Sequence, residues 1–251
     1  MSEILKSITE VMPVYRVLNR EENLNFFRDV LGFKVLMEEG AMVWLGGHEA
    51  KKAHLLLEES PGLRSANGAK KHGLTVIKAN REEIIQLLAG QLEKISKVYQ
   101  TETGYAFEAI SPENDVFVLT DNENSHLTEI AKSAINFSVR QNFTGLSNFE
   151  VEEIKVNVTN SATKDFLTEI LDEKLTVAST KILFTTSDDE DLNVASDETL
   201  DLEFLRFGVE KEFDLSAFEE NFDKTVKNYL DKSARTLVLT APNGMEIWFV
   251  K

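Results

Sequence analysis

The side chains able to do chemistry are few and scattered. The chain carries four His, at positions 48, 54, 72 and 126, and no Cys. The missing thiols remove Cys nucleophiles, thiolate zinc sites and disulfides together. His48-Glu-Ala-Lys-Lys-Ala-His54 has the residue types of a zinc-protease motif, but that motif sets its two His four apart on one helical face. Here they are six apart across a loop and a strand, which favours a satisfied or exposed His pair. Neither a Gly-x-Ser-x-Gly elbow nor an Asp-Thr/Ser-Gly signature occurs. A Ser-His-Asp set assembled in space stays open, because such sets are recognised by geometry and not by order. His126 reads as a solvated loop residue. The run Asp188–Asp191 offers carboxylates of the kind calcium prefers, but it lacks the spacing of an EF-hand and reads as a solvated loop. Trp44, Trp248, Phe107 and Phe117 could line a cup or simply fill a core.

The elements that would position these groups follow from periodicity. Met12–Asn19 alternates as a strand, and Asn19 is placed to cap a helix with Glu21 and Glu22 in its first turn and Leu24, Phe27, Val30 and Leu31 on one face. Gly32 suits the residue just past that helix. Strands are expected at 33–39, 41–45 and 53–58. The order β, α, β, β, β begins again at Leu74, with Asn80 capping a helix from Arg81 to about residue 89 and strands at 97–100, 105–110 and 115–120. Residues 121–148 read as a connector with a short helix at 127–134. Beyond it come a strand at 151–158, a helix at 163–171, strands at 182–185 and 202–209, a helix at 215–222 and a hairpin at 236–240 and 246–250.

Two hairpins suggest duplication. Residues Phe107 to Leu119 lie over Leu237 to Phe249, with strand, Pro-containing turn and strand in the same order.

Composition sets the class. Apolar residues make up 42%, charged residues 28%, and Phe alone contributes 16 side chains, the balance of a folded globular protein. No run is long and apolar enough to span a membrane, and the first residues carry acids where a signal peptide would be basic and then apolar, so a cytoplasmic location is expected. The formal charge is −16, with −5 in residues 1–125 and −11 in 126–251. Such a surface repels phosphate backbones and makes nucleic acid an unfavourable partner.

Asn19, Phe26-Phe27, Leu31-Gly32-Phe33 and the turns Ser111-Pro-Glu-Asn114 and Ala241-Pro-Asn-Gly244 together resemble the vicinal oxygen chelate superfamily of glyoxalases, dioxygenases and bleomycin-resistance proteins. The resemblance implies an α+β fold of tandem βαβββ modules with glyoxalase-like half-barrel sheets, in two domains. These would be residues 1–125 (two modules), a connector at 126–148, and a diverged second glyoxalase-like domain at 149–251. The whole arrangement also resembles the CppA family, which is described as a complement C3-degrading proteinase. That resemblance implies a peptidase, a hydrolase tied to virulence, though no catalytic motif accompanies it.

The superfamily's metal-dependent members hold a divalent ion with His, Glu or Gln on inward strand positions. Carried onto this chain, the first-strand position falls at Met12 and the last-strand position at Val118, with the other two near Leu56 and Leu74. In the second half the last-strand position is Trp248 and the first-strand position is Glu152 or Glu153. Apolar side chains cannot coordinate a hard cation, and one carboxylate is no metal site. A register shifted by two would bring in His54 and His72 instead. The expectation is a metal-independent protein without a cofactor, binding a ligand in an apolar cup lined by Met12, Leu56, Leu74, Val118, Trp44 and Trp248. The acidic surface favours a small cationic or amphipathic ligand. The alternatives are a CppA-like proteinase acting on a protein substrate, complement component C3, and a non-catalytic interaction scaffold. A homodimer is compatible with all three.

Overall fold

The computed structural model describes residues 3–122 and 126–251. The chain opens with a short helix α1 (Glu3–Ser7), strand β1 (Ile8–Val17), helix α2 (Arg20–Asn25) and strands β2 (Lys34–Glu39), β3 (Met42–Gly46) and β4 (Leu55–Glu59). After the two-residue β5 (Arg64–Ser65) come β6 (His72–Ala79), α3 (Arg81–Gln91), β7 (Lys97–Gln100), β8 (Tyr105–Ile110), β9 (Val116–Thr120) and β10 (Thr128–Ile130). The third stretch holds β11 (Phe149–Val158), α4 (Ala162–Ile170), β12 (Thr176–Val177), β13 (Thr180–Thr186) and β14 (Thr199–Leu200). The last holds β15 (Leu202–Val209), α5 (Leu215–Glu219), β16 (Asn228–Leu230), β17 (Thr236–Thr240) and β18 (Glu246–Val250). This is the expected α+β architecture of repeated βαβββ modules.

The helix starts are explained by their caps. The Asn19 side chain accepts from the Glu22 amide at 3.2 Å, and that of Asn80 from the Glu82 amide at 2.9 Å. Each satisfies a backbone donor that would otherwise have no partner in the first turn. Past α2 the helix widens into a single π turn, Phe26–Val30, and Gly32 ends it at φ +72°. Two other helix expectations need correction. Residues 127–134 form β10 and a 3₁₀ turn at Lys132–Ala134. There β-branched Thr128 and Ile130 pair antiparallel with Gln100 and Val98 of β7, so an available strand edge outcompetes local helix formation. The helix expected at 215–222 stops at Glu219, and Asn221 turns its amide back onto the carbonyls of Ala217 and Phe218.

By contacts the chain resolves into two compact units. Unit I comprises Met1–Arg16, Gly62–Gly73 and Ile154–Lys251, and unit II comprises Val17–Pro61 and Leu74–Glu153. The division into 1–125, 126–148 and 149–251 follows the sequence, whereas the units follow packing and draw on separated stretches. The boundary expected at residue 125 lies outside the described residues. Within unit II the expected connector is packed structure: Leu146 donates to the Gly32 carbonyl, and the amides of Arg140 and Ser147 reach Gln86 and Glu83 on α3.

In unit II, β9 joins β6 in parallel and β8 antiparallel, with β7 and β10 beyond. α3 lays Ile84, Leu87 and Leu88 on that sheet, and Phe107, Phe117 and Leu119 are fully buried. In unit I the same sequence of pairings recurs, β18 joining β15 in parallel and β17 antiparallel with β16 beyond, and β1 up to Arg16 lies on the other side of β15. One face of this second sheet is core: Leu205, Phe207, Leu237, Leu239, Ile247 and Phe249 have no exposed surface. Each such side chain stabilises the fold by roughly 1.5–3 kcal/mol through burial alone.

The two closing hairpins are copies in atomic detail. In one turn the Asn114 amide donates to Ser111 O at 2.9 Å and the Ser111 amide to Asp115 O at 2.9 Å. In the other the Gly244 amide donates to Ala241 O at 2.9 Å and the Ala241 amide to Met245 O at 2.8 Å. Asn114 and Gly244 both take left-handed backbone, φ 65° and 80°. The pairs Val76 with Val118 and Arg206 with Trp248 are related by one displacement of 130 residues in both strands, so the duplication extends from the hairpin to the parallel partner strand.

Candidate functional site

Register fixes which expected positions share a face, because residues opposite one another on paired strands point the same way. In unit I, Met12 on β1 faces Arg206 on β15, and Arg206 faces Trp248 on β18. The row Met12, Arg206, Trp248 is flanked by Val14, Phe204 and Glu246 on one side and by Glu10, Gly208 and Val250 on the other. Met12, Val14 and Phe204 are buried, while Arg206 and Trp248 are half-buried. The Trp248 indole stacks on Phe204 with ring centroids 4.3 Å apart and planes 11° from parallel. Its Nε1 donates to Glu246 Oε2 at 2.8 Å, and Arg206 Nη1 meets Glu10 Oε1 at 2.8 Å. The result is an aromatic plate beside a partly exposed ion pair.

The same row tests whether a metal suits this face. Met12 and Trp248 stand at expected ligand positions, and the displacement of 130 carries Leu74 onto Phe204, the other half of the aromatic stack. Thioether and aromatic carbon hold no hard divalent ion, and the guanidinium of Arg206 places a permanent positive charge among them. These residues do not fit the superfamily's metal. Among the described residues no three His, Asp or Glu are gathered so as to hold an ion.

The remaining expected positions belong to unit II. Leu56 is buried and faces half-buried Trp44 across β3 and β4. Val118 faces Val76 on β6 and Glu108 on β8, and Leu74 lies two residues along β6 on the same face as Val76. Glu108 accepts from Ser96 Oγ at 2.5 Å and Tyr99 Oη at 3.3 Å and pairs with Lys97 at 3.4 Å. Phe107 and Phe117 are core, with Phe117 edge-on to Phe27 at 5.2 Å. Glu152 and Glu153 are half-buried on β11.

The His residues do separate jobs. The His54 amide donates to Leu45 O, and its ring lies 5.3 Å from that of Phe149. His48 anchors the Leu146 carbonyl through its amide; burial, aided by Lys34, holds its imidazole pKa below the ordinary value. His72 is buried in unit I, its ring edge-on to Tyr15 at 4.8 Å and its Nε2 3.5 Å from the Tyr15 hydroxyl. Beneath it the Asp201 carboxylate accepts three amides, from Lys71 at 2.6 Å, His72 at 2.9 Å and Leu202 at 2.7 Å. Lys71 has no exposed surface, donates from Nζ to Val194 O at 2.7 Å, and has its ammonium pKa pushed down by burial against the pull of nearby carboxylates. His126 is exposed.

The acidic run is only partly solvated. Asp191 turns inward, takes both arms of Arg64 at 2.6 and 2.7 Å and accepts the Asn67 amide at 2.6 Å. The Arg64 hydrogen bonds, then that from Asn67, hold its carboxyl well below the usual carboxylate range. A guanidinium therefore neutralises the carboxylate that a calcium ion would have needed.

Reading the sequence position by position misses Phe204, Arg206 and Glu10. The repeat displacement, applied to Leu74 and not only to the closing hairpin, would have found Phe204; Arg206 then lies two residues on, and Glu10 is reached only through the pairing of β1 with β15.

Known proteins share this fold. Family models for the CppA N-terminal and CppA C-terminal regions match residues 10–130 and 146–249. The solved structure of cppA protein from Streptococcus pneumoniae TIGR4 superposes with a TM-score of 0.81 at 27% identity, over 97% of this chain and 98% of that one. A putative dioxygenase from Bacillus subtilis gives 0.66 at 12% identity over 97% and 85%. Glyoxalase I from Zea mays gives 0.57 at 11% over 98% and 92%. At those two identities the likeness is one of fold. No curated protein matches the sequence.

Proposed function

The chain belongs to the CppA family, and from that premise we propose that it is a metal-independent glyoxalase-fold protein that binds a small or peptide ligand at the aromatic strand face of unit I. One observation carries the reading: Met12, Phe204 and Trp248 occupy a face where metal-using relatives need oxygen or imidazole donors, with the Arg206–Glu10 pair set among them. A stacked indole offers a planar apolar surface, and an ion pair open to solvent offers one charge of each sign for orienting a ligand's polar end. Binding needs no Lewis acid here, because position and charge both come from side chains.

The test is a thermal-shift and tryptophan-fluorescence screen of small molecules and short peptides, run with a chelator present. With Trp44→Phe removing the other indole, a true ligand perturbs Trp248 emission and raises the denaturation midpoint; at about a hundredfold excess over Kd the stabilisation is about 2.7 kcal/mol. The effect disappears in Trp248→Ala. Ligands that bind only when a divalent ion is added, or that bind Trp248→Ala equally well, contradict the reading. So does cleavage of complement component C3 by highly purified protein that is abolished by changing a single His.

A further inference from the structure

The opposite face of the same sheet carries a second feature that strand-face binding does not use. Helices α1, α4 and α5 of unit I, with the loops flanking α5, border a half-open cavity of about 790 Å³. Four of its walls are Phe166, Phe213, Phe218 and Phe222, each only half-buried. Rings of this size are normally driven fully inside, and leaving four partly open around one space is costly unless something covers them. Phe218 ties the cavity to the core, lying 5.4 Å from Phe249 and 5.1 Å from Phe222.

Helical spacing builds the site. Phe166, Glu169 and Ile170 fall on one face of α4, and Ala217, Phe218, Asn221 and Phe222 line it along α5 and the turn that follows. Five carboxylates complete the lining, those of Glu3, Glu169, Glu212, Asp214 and Asp223, with no Lys or Arg among the lining residues. Asp214 is also the cap of α5, accepting the Ser216 and Ala217 amides at 3.0 and 3.2 Å. Hydrogen bonds from Thr225 lower the pKa of Asp223, favouring its charged form.

We propose that this cavity binds a small amphipathic ammonium compound, its apolar chain among the phenylalanines and its charged head against the carboxylate rim. Charge and shape select that occupant over others. Phenyl faces attract a cation and aliphatic chain alike, the rim supplies counter-charge, and an anionic amphiphile would meet five like charges. The volume lies within the range of about 300–1,000 Å³ typical of small-molecule pockets.

Isothermal titration with octyltrimethylammonium, octyl glucoside and octyl sulfate, all below their micellar concentrations, decides the matter. The ammonium probe is expected to bind one per chain, at least about tenfold tighter than the glucoside, with no binding of the sulfate. High salt should weaken it. Filling the cavity by Ala217→Trp, or by Val226→Trp if the first variant fails to fold, should abolish it, and Glu169→Gln with Glu212→Gln should erode the preference for the cation. Trp248→Ala should leave it unchanged, which separates this site from the strand face. Equal affinity for glucoside and ammonium, binding that survives both tryptophan variants, or loss of binding in Trp248→Ala would each overturn the proposal.

Discussion

At the scale of single residues, most of the assignments turn on partners far away in sequence. Four consecutive acids, Asp188 to Asp191, look equivalent in the sequence, yet only Asp191 is held by Arg64, across 127 positions. Nothing local distinguishes it, and the same holds for Lys71, buried while its neighbour Lys70 is only half-buried. Because the folded-state pKa of Asp191 is depressed, its contribution to stability is fully present above the ordinary carboxylate value and is lost as pH falls below it. Asp191→Asn is therefore expected to lower the denaturation midpoint at neutral pH, and the gap from the parent should close as the solution is acidified below the ordinary value. A gap independent of pH would show that the charge of Asp191 contributes nothing. Asp231 behaves alike in the β16–β17 turn: hydrogen bonds from Ser233 and from the amides of Thr236 and Arg235 hold its pKa at about 2. Asp231→Asn should remove a stabilisation that otherwise fades between the ordinary carboxylate value and about pH 2.

At the scale of elements, the sequence was most readable where local chemistry closes on itself. The Asn19 and Asn80 caps, the Gly32 helix stop and both Pro-containing hairpins stand where composition placed them, because each is settled within a few residues. The two-residue strands β5, β12 and β14 leave no signal in the sequence, since two residues carry no periodicity and β5 finds β14 across more than a hundred positions. Residues 127–134 depart from the expected helix for the same reason: their strand partner β7 lies outside the local window. The hairpin turns yield a sharp prediction. A Cβ at Gly244 would sit 2.6 Å from the Val194 carbonyl oxygen, on backbone already at φ +80°. Gly244→Ala should cost about 1–3 kcal/mol in urea unfolding, whereas Asn114→Gly, at the equivalent left-handed position, should be neutral or slightly stabilising. Equal losses at both would contradict the equivalence of the two turns.

At the scale of the whole molecule, the repeated βαβββ order was legible, but which ligand positions meet was not. Strand count and turn chemistry give modules; they do not say which modules pack together, and both contact units are assembled from separated stretches. Met12 consequently shares a row with Trp248 through Arg206, a grouping invisible until β1 is seen beside β15. The duplication kept the backbone while the two copies diverged in side chains: Val76 and Val118 in one are Arg206 and Trp248 in the other. A common fold with different residues on the equivalent face does not carry one chemistry over to the other.

A face of Met12, Phe204 and Trp248 beside the Arg206–Glu10 pair has no need of a metal to hold a ligand. Elemental analysis of purified protein, followed by titration with zinc and manganese while Trp248 emission is recorded in the Trp44→Phe background, tests this most directly. No stoichiometric divalent ion and no saturable change in emission are expected. One tightly held equivalent per chain, displaced by chelator with a matching change at Trp248, would contradict it.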